Sequence, residues 1–264
     1  MVWAMTAAES LYRPAPAGAE PGWWGRVGAE VSRRLDLARQ PQPSGVRGPP
    51  LRRLLGELGA PRLFVTLPAY RASRPQAVML LPGFAAHPLR MRRMGRALAQ
   101  AGHQPHDWGL GFNLGPTQDN FAFLLGRVRD LAENSGAPIA LVGWSLGGLF
   151  AREIARRLPD EVGLVITMGT PFSGDRRANN AWRAYQLVTG HAVDCPPIEC
   201  DFAAKPPVPT VALWSPRDGV VAPRSARGRP GERDRAVALR CSHLGFVGDP
   251  GCIGEVLRQL DFEA

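Results

Sequence analysis

One octapeptide, Leu141-Val-Gly-Trp-Ser-Leu-Gly-Gly148, constrains this chain more than any other stretch. The apolar run Pro138 to Val142 leads into it and a good helix former, Leu149 to Leu158, leads out. Ser145 stands midway between Gly143 and Gly147, a G-x-S-x-G pattern between a strand and a helix. A serine at the tip of so sharp a turn takes a strained backbone conformation. The residues two before and two after it are forced together, and glycine fits both places because it has no Cβ. The following helix aims its N-terminus at the serine, where negative charge is favoured. With ten serines and 30 glycines in the chain, chance alone expects roughly 0.13 such matches. The bare pattern therefore also fits a glycine-rich turn that packs a helix on a sheet, and downstream residues must separate the two readings.

The rest of the chain alternates. Segments at 77–81, 104–111, 138–142, 162–168, 208–214 and 236–240 read as strands. Helical patterns at 88–101, 120–133, 149–158, 181–188 and 253–260 fall between and after them. Such alternation predicts an α/β fold, a doubly wound and mostly parallel sheet covered on both faces. Residues 76–264 form this main domain, and the break in rhythm at 172–207 is a cap insertion. Residues 1–75 form a basic, partly helical N-terminal extension. Within it, 1–21 is Pro/Ala-rich and loosely ordered, 41–50 is a linker, 51–58 is a short helix and 61–72 is an extended crossing. A helix over 23–39 puts Trp24, Val27, Val31 and Leu35 on one face. The preferred reading packs that stripe on the main body. The other, prompted by paired tryptophans among arginines, is peripheral contact with a membrane surface.

Composition excludes several classes. Hydrophobic residues make up 45% of the chain, and no apolar stretch approaches the ~20 residues of a membrane span. The first ten residues lack a basic segment followed by an apolar one, so the expectation is a cytoplasmic protein without a signal peptide. The net charge of +9 is almost all arginine, with Lys205 the only lysine. No basic stripe carries stacking aromatics, so nucleic acid is not an expected partner. Cys195, Cys200, Cys241 and Cys252 form no C-x-x-C and have no histidine cluster, which argues against a metal. Free thiols are the expectation, although a Cys241–Cys252 bridge would brace the loop that holds His243. The glycine-rich stretch 109–115 lacks the G-x-G-x-x-G spacing of a nucleotide site.

A serine hydroxyl needs a base to take its proton, an acid to orient that base, and donors for the developing oxyanion. In a doubly wound sheet such groups gather at the carboxyl ends of strands. The strand ending at Trp214 is followed by Ser215-Pro-Arg-Asp-Gly219, and the strand ending at Arg240 by Cys241-Ser-His-Leu-Gly245. Asp218 alone reads equally as a turn residue capping its own backbone, and His243 alone as a loop histidine. Together with Ser145 they give Ser, Asp, His in chain order, each at a strand end.

On these residues, and on Leu80-Leu-Pro-Gly-Phe84 and Gly169-Thr-Pro-Phe172, the chain from Ala77 to Leu260 resembles the α/β-hydrolase family, in particular its bacterial lipase- and esterase-like members. The resemblance implies Ser145 as nucleophile, His243 as general acid and base, and Asp218 as its orienting partner. It implies the backbone N–H groups of Phe84 and Leu146 as the oxyanion hole, with Pro82-Gly83 where the family often has His-Gly. The implied activity is hydrolysis of a small acyl ester or lipid, without metal or cofactor. An acyltransferase using the same triad, or an idle partner- or membrane-binding protein on this scaffold, are the other readings. His87, Trp144, Trp182, Tyr185 and Leu187 are the expected substrate-lining side chains. His103 and His106 read as structural, and His191 fits the triad order poorly. Oligomeric state is not legible in the sequence.

Overall fold

The computed structural model describes residues 23–59 and 69–262. Residues 1–21 and most of the expected crossing at 61–72 lie outside the described residues. The core is one sheet of six strands, all parallel, in the order β2-β1-β3-β4-β5-β6. The strands are β1 (Ala77–Leu81), β2 (Gln104–Asp107), β3 (Ile139–Trp144), β4 (Val162–Met168), β5 (Thr210–Trp214) and β6 (Arg235–Ala238). The sheet is covered by α3 (Arg92–Ala101), α4 (Gln118–Ser135), α5 (Leu146–Arg157) and α8 (Pro250–Leu260). Before them come α1 (Trp23–Arg39) and α2 (Leu51–Gly59). Short α6 (Trp182–Thr189) and α7 (Pro223–Arg227) interrupt the later crossovers.

Strand side chains alternate between the two faces of a sheet, and in the central strands both faces are buried, whereas the edge strands β2 and β6 have no buried residue. Val78, Leu80, Ala140, Val142, Ile166 and Leu213 meet Met94, Leu98, Val256 and Leu257 of α3 and α8. Met79, Leu81, Leu141 and Val165 meet Phe121, Leu124, Phe150 and Ile154 of α4 and α5. This double burial is why the central strands read as continuous apolar runs rather than alternating ones. The strand order places β2 on one side of β1 and every later strand on the other. The loops that leave β1 and β3 therefore part to opposite faces, opening a crevice at the carboxyl edge.

Several boundaries differ from expectation for local reasons. The expected strand 104–111 ends at Asp107 because buried Trp108 turns the chain back, its indole N–H donating to the Leu110 and Gly111 carbonyls. Helix α4 starts at Gln118, two residues early, because Thr117 and Asn120 cap each other reciprocally. Helix α5 begins at Leu146, directly after Ser145, with no spacer.

The stripe on α1 requires a correction. Trp23, Trp24, Val27, Val31 and Leu35 are exposed and no α1 residue is buried. The helix instead docks by its polar side on α6. Arg33 and Arg34 donate to the Gly190 and Val188 carbonyls, and Gln186 of α6 donates to the Leu37 carbonyl. No described helix is long and apolar enough to cross a membrane.

The segment 172–207 is tied down at both ends. Arg152 of α5, fully buried, donates to the carbonyls of Phe202, Ala203, Ala204 and Glu232 and lies over the Phe172 ring. Burial pushes its pKa down to about 10, still a cation at neutral pH. Replacing Arg152 with alanine would leave several buried carbonyls without donors. The expected loss is about 3 kcal/mol of unfolding free energy, read as a lowered urea midpoint. A midpoint equal to that of the parent protein would refute this role.

Candidate active site

The turn after β3 has the conformation the motif demands. Ser145 sits at φ 53° and ψ −119°, one of two non-glycine residues with positive φ among those described. Its N–H is held by the Met168 carbonyl on β4. The flanking glycines are sterically obligatory. A Cβ on Gly143 would stand 2.4 Å from the Gly148 α-carbon, and one on Gly147 would stand 2.2 Å from the Leu81 carbonyl oxygen.

The loop after β1 reaches the same place. A Cβ on Gly83 would lie 3.2 Å from the Ser145 Cβ and 3.1 Å from the Trp144 ring, so the main chain at Pro82–Phe84 abuts the serine. The N–H groups of Phe84 and Leu146 carry no hydrogen bond among the described residues, as expected of a turn and of the first residue of a helix. Asn113 fixes this loop, and sequence reasoning missed it. Fully buried, it donates from its amide to the Pro82 carbonyl, its own N–H meets the Ala86 carbonyl, and its carbonyl accepts from the Ala85 N–H. Ala85 is the second positive-φ residue, at 54°. The only sequence signal was an asparagine among glycines in 109–115.

Asp218 and His243 come together in the loops after β5 and β6. The imidazole Nδ1 lies 2.8 Å from Asp218 Oδ2, both side chains being almost wholly buried. The other carboxylate oxygen accepts the N–H groups of Val220 and Val221, each at 2.8 Å. A carboxylate so held keeps the imidazole proton on Nδ1, which leaves Nε2 as the basic nitrogen. The His243 carbonyl accepts the Trp144 indole N–H at 3.1 Å, and the two rings stand 5.7 Å apart. Ser215 bridges the same loops, its hydroxyl donating to the Cys241 carbonyl. Cys241 and Cys252 are buried free thiols in contact, which pushes the Cys252 thiol up from its ordinary pKa.

A second carboxylate that sequence reasoning missed lies behind this pair. Glu57 of α2, 5% exposed, accepts from the N–H groups of Gly219, His243 and Leu244 at 2.9, 2.6 and 2.9 Å.

Above Ser145 lies a mostly apolar cavity of about 80 Å³, lined by Phe84, Leu146 and Leu149 from the body and by Trp182, Tyr185 and Phe202 from the insertion. The Tyr185 ring packs 5.6 Å from that of Phe84, and burial raises its phenol to about 12. Three expected lining residues are placed elsewhere. Leu187 is 41% exposed, because the buried face of α6 is Trp182, Tyr185 and Gln186. His87 caps the short 3-10 helix that follows it, accepting from the Leu89 N–H, and packs on Phe112. With Trp144 it borders a separate open cleft. Both histidines read as structural are half-buried or buried, and His103 has neither ring nitrogen bonded.

Comparison with solved structures finds the same fold in the lipase BlEst2 of Bacillus licheniformis, with TM-score 0.54 and 15% identity, covering 74% of this chain and 97% of that one. A pyrethroid hydrolase from Sphingobium faniae aligns with TM-score 0.50 and 15% identity over 71% and 98% of the two chains. The 2-hydroxy-6-oxo-6-phenylhexa-2,4-dienoate hydrolase of a Rhodococcus strain aligns with TM-score 0.52 and 14% identity over 70% and 90%. Neither family models nor curated sequences match the chain. The chain has the α/β-hydrolase fold.

Because a Gly147 Cβ has only backbone to move, Gly147→Ala should destabilise the protein by about 3 kcal/mol or more. Chemical denaturation measures this, and a variant as stable as the parent would mean the turn is not as tight as described.

Proposed function

We propose that this protein is a serine hydrolase, a carboxylesterase or lipase-like enzyme that works through an acyl-enzyme on Ser145. What supports the reading is that the loops after four parallel strands, β1, β3, β5 and β6, leave one edge of the sheet and carry the unbonded Phe84 N–H, the strained Ser145, and a buried His243 oriented by Asp218, with His243 packed on Trp144 beside the serine.

In this reading His243 Nε2 takes the Ser145 proton as the hydroxyl oxygen attacks the ester carbonyl carbon. The carbonyl π electrons move to oxygen, and the oxyanion is met by the N–H groups of Phe84 and Leu146, reinforced by the N-terminus of α5. The intermediate collapses, the carbon–oxygen bond to the alcohol breaks, and His243 gives that alcohol its proton. Water then repeats the attack with His243 as base, releasing the acid and restoring Ser145. Asp218 holds the imidazole tautomer throughout and stabilises the transient imidazolium. The apolar cavity under Trp182, Tyr185 and Phe202 favours a small acyl group.

The deciding experiment uses purified protein, a fluorophosphonate label and p-nitrophenyl esters of increasing length. Parent protein should label and hydrolyse, while Ser145→Ala should do neither, with turnover down on the order of 10⁴–10⁶. Equal hydrolysis by Ser145→Ala would end the serine reading.

Chain-length preference tests the cavity. Tyr185→Ala removes the ring between α6 and Phe84 and should move the optimum to longer acyl groups, with the shortest ester still cleaved. An unchanged profile in a folded variant would mean the acyl group does not enter this cavity.

A further inference from the structure

The N-terminal helix α2 stands outside the sheet, yet its buried carboxylate ends on the two loops that hold Asp218 and His243. Glu57 Oε1 accepts from Gly219, the residue after Asp218, and from the His243 main chain; Oε2 accepts from Leu244, the residue after His243. One side chain therefore spans 162 positions to the acid loop and 186 to the base loop. The same helix grips the acid loop a second time, through Arg53, whose guanidinium donates to the Pro216 carbonyl at 2.7 Å. The contact is close: a Cβ on Gly219 would lie 2.5 Å from the Arg53 carbonyl oxygen.

We infer that Glu57 is a positioning residue of the catalytic pair, setting the distance and angle between Asp218 and His243 by clamping the main chain beside each. The inference rests on the serine-hydrolase reading and deepens it. Neither loop is fixed by the sheet alone, because Asp218 and His243 lie several residues beyond β5 and β6. The direct bonds between the loops are few, chiefly Ser215 to the Cys241 carbonyl and the Asp218–His243 contact itself. A carboxylate that accepts three main-chain N–H groups is suited to this work, since charge-assisted bonds are short and strong and both oxygens accept in several directions. An amide of the same shape has one accepting oxygen and would turn an NH₂ toward an N–H. An aspartate keeps both oxygens but falls one methylene short.

The test compares the full chain with Glu57→Gln and Glu57→Asp. It uses ester kinetics, fluorophosphonate labelling, thermal melting, and the downfield proton signal of the His243 Nδ1–H bound to Asp218. A misplacement near 1 Å is worth about a hundredfold in rate. The expected result is two cooperatively folded variants with kcat lowered about tenfold to a hundredfold, KM within about threefold, and the downfield signal shifted or lost to exchange. Folded variants with parental kcat and an unmoved signal would overturn the inference. So would activity that falls only in proportion to the unfolded fraction, or failure of both variants to fold, since Glu57 would then serve folding alone. Absence of labelling in the parent protein would refute the hydrolase reading instead. In that case the imidazole signal, which needs no turnover, still decides the role of Glu57.

Discussion

Ser145 is held at φ 53° and ψ −119°, a conformation that costs a non-glycine residue on the order of 1–3 kcal/mol. Locally it is held by the Gly148 N–H donating to the Ser145 carbonyl. The conformation persists because β3 on one side and α5 on the other are each fixed by a buried face, β3 between β1 and β4 and α5 through Phe150, Ala151 and Ile154. The chain has to pass from strand to helix in a single residue. The glycines at 143 and 147 make room for that passage, and the Met168 carbonyl takes the serine N–H. The remaining site groups follow from the same sheet. Parallel strands put all their following loops at one edge, so positions 83–84, 145, 218 and 243 share that edge although far apart in sequence.

How much of this was legible follows from where the information lies. The central strands were readable because both their faces are buried and their sequences are plainly apolar. Ser145 could be placed at the carboxyl edge because it follows β3 directly, and Asp218 and His243 because they stand a few residues beyond β5 and β6. Glu57 and Asn113 were not, because their work is to accept from or donate to main-chain groups, and main-chain groups leave no mark on the sequence at the far end. A glutamate in a short helix rich in arginine and leucine looks like an ordinary solvated charge. Only the arrival of Gly219, His243 and Leu244 against it makes it a buried acceptor.

The misreading of Leu187 has a related cause. Helical spacing with apolar residues at 182, 185, 187 and 188 assigns the inner face by hydrophobicity. The structure buries Gln186 instead, while Leu187 and Val188 remain exposed. Gln186 is drawn in because both ends of its amide are used: the NH₂ serves the Leu37 carbonyl at the end of α1, and the oxygen accepts the Val193 N–H. A polar residue with partners is as much at home inside as an apolar one. The apolar face of α1 was assigned inward on the same rule and is exposed for the same reason, since Arg33 and Arg34 find carbonyls on α6 that a leucine could not satisfy.

These polar attachments change how the region over the serine should be understood. The insertion does not rest on the body alone. Its helix is bonded to α1, Trp182 donates its indole N–H to Gln42, and Asn180 donates to both the Pro49 and Gly219 carbonyls. The cavity beside Ser145 is thus roofed by the insertion, while the insertion is backed by residues 30–50 of the N-terminal extension. The extension continues through α2 to Glu57, which accepts from the loops that carry Asp218 and His243. One continuous piece of chain therefore touches the roof of the cavity and the back of the Asp218–His243 pair. Helix α1 is bonded to Gln186 of the roof, the Gln42 that follows it to Trp182, and α2 to the main chain at His243. The roof beside Ser145 and the backing of the Asp218 and His243 loops are in this way both attached to a segment that lies wholly outside the sheet.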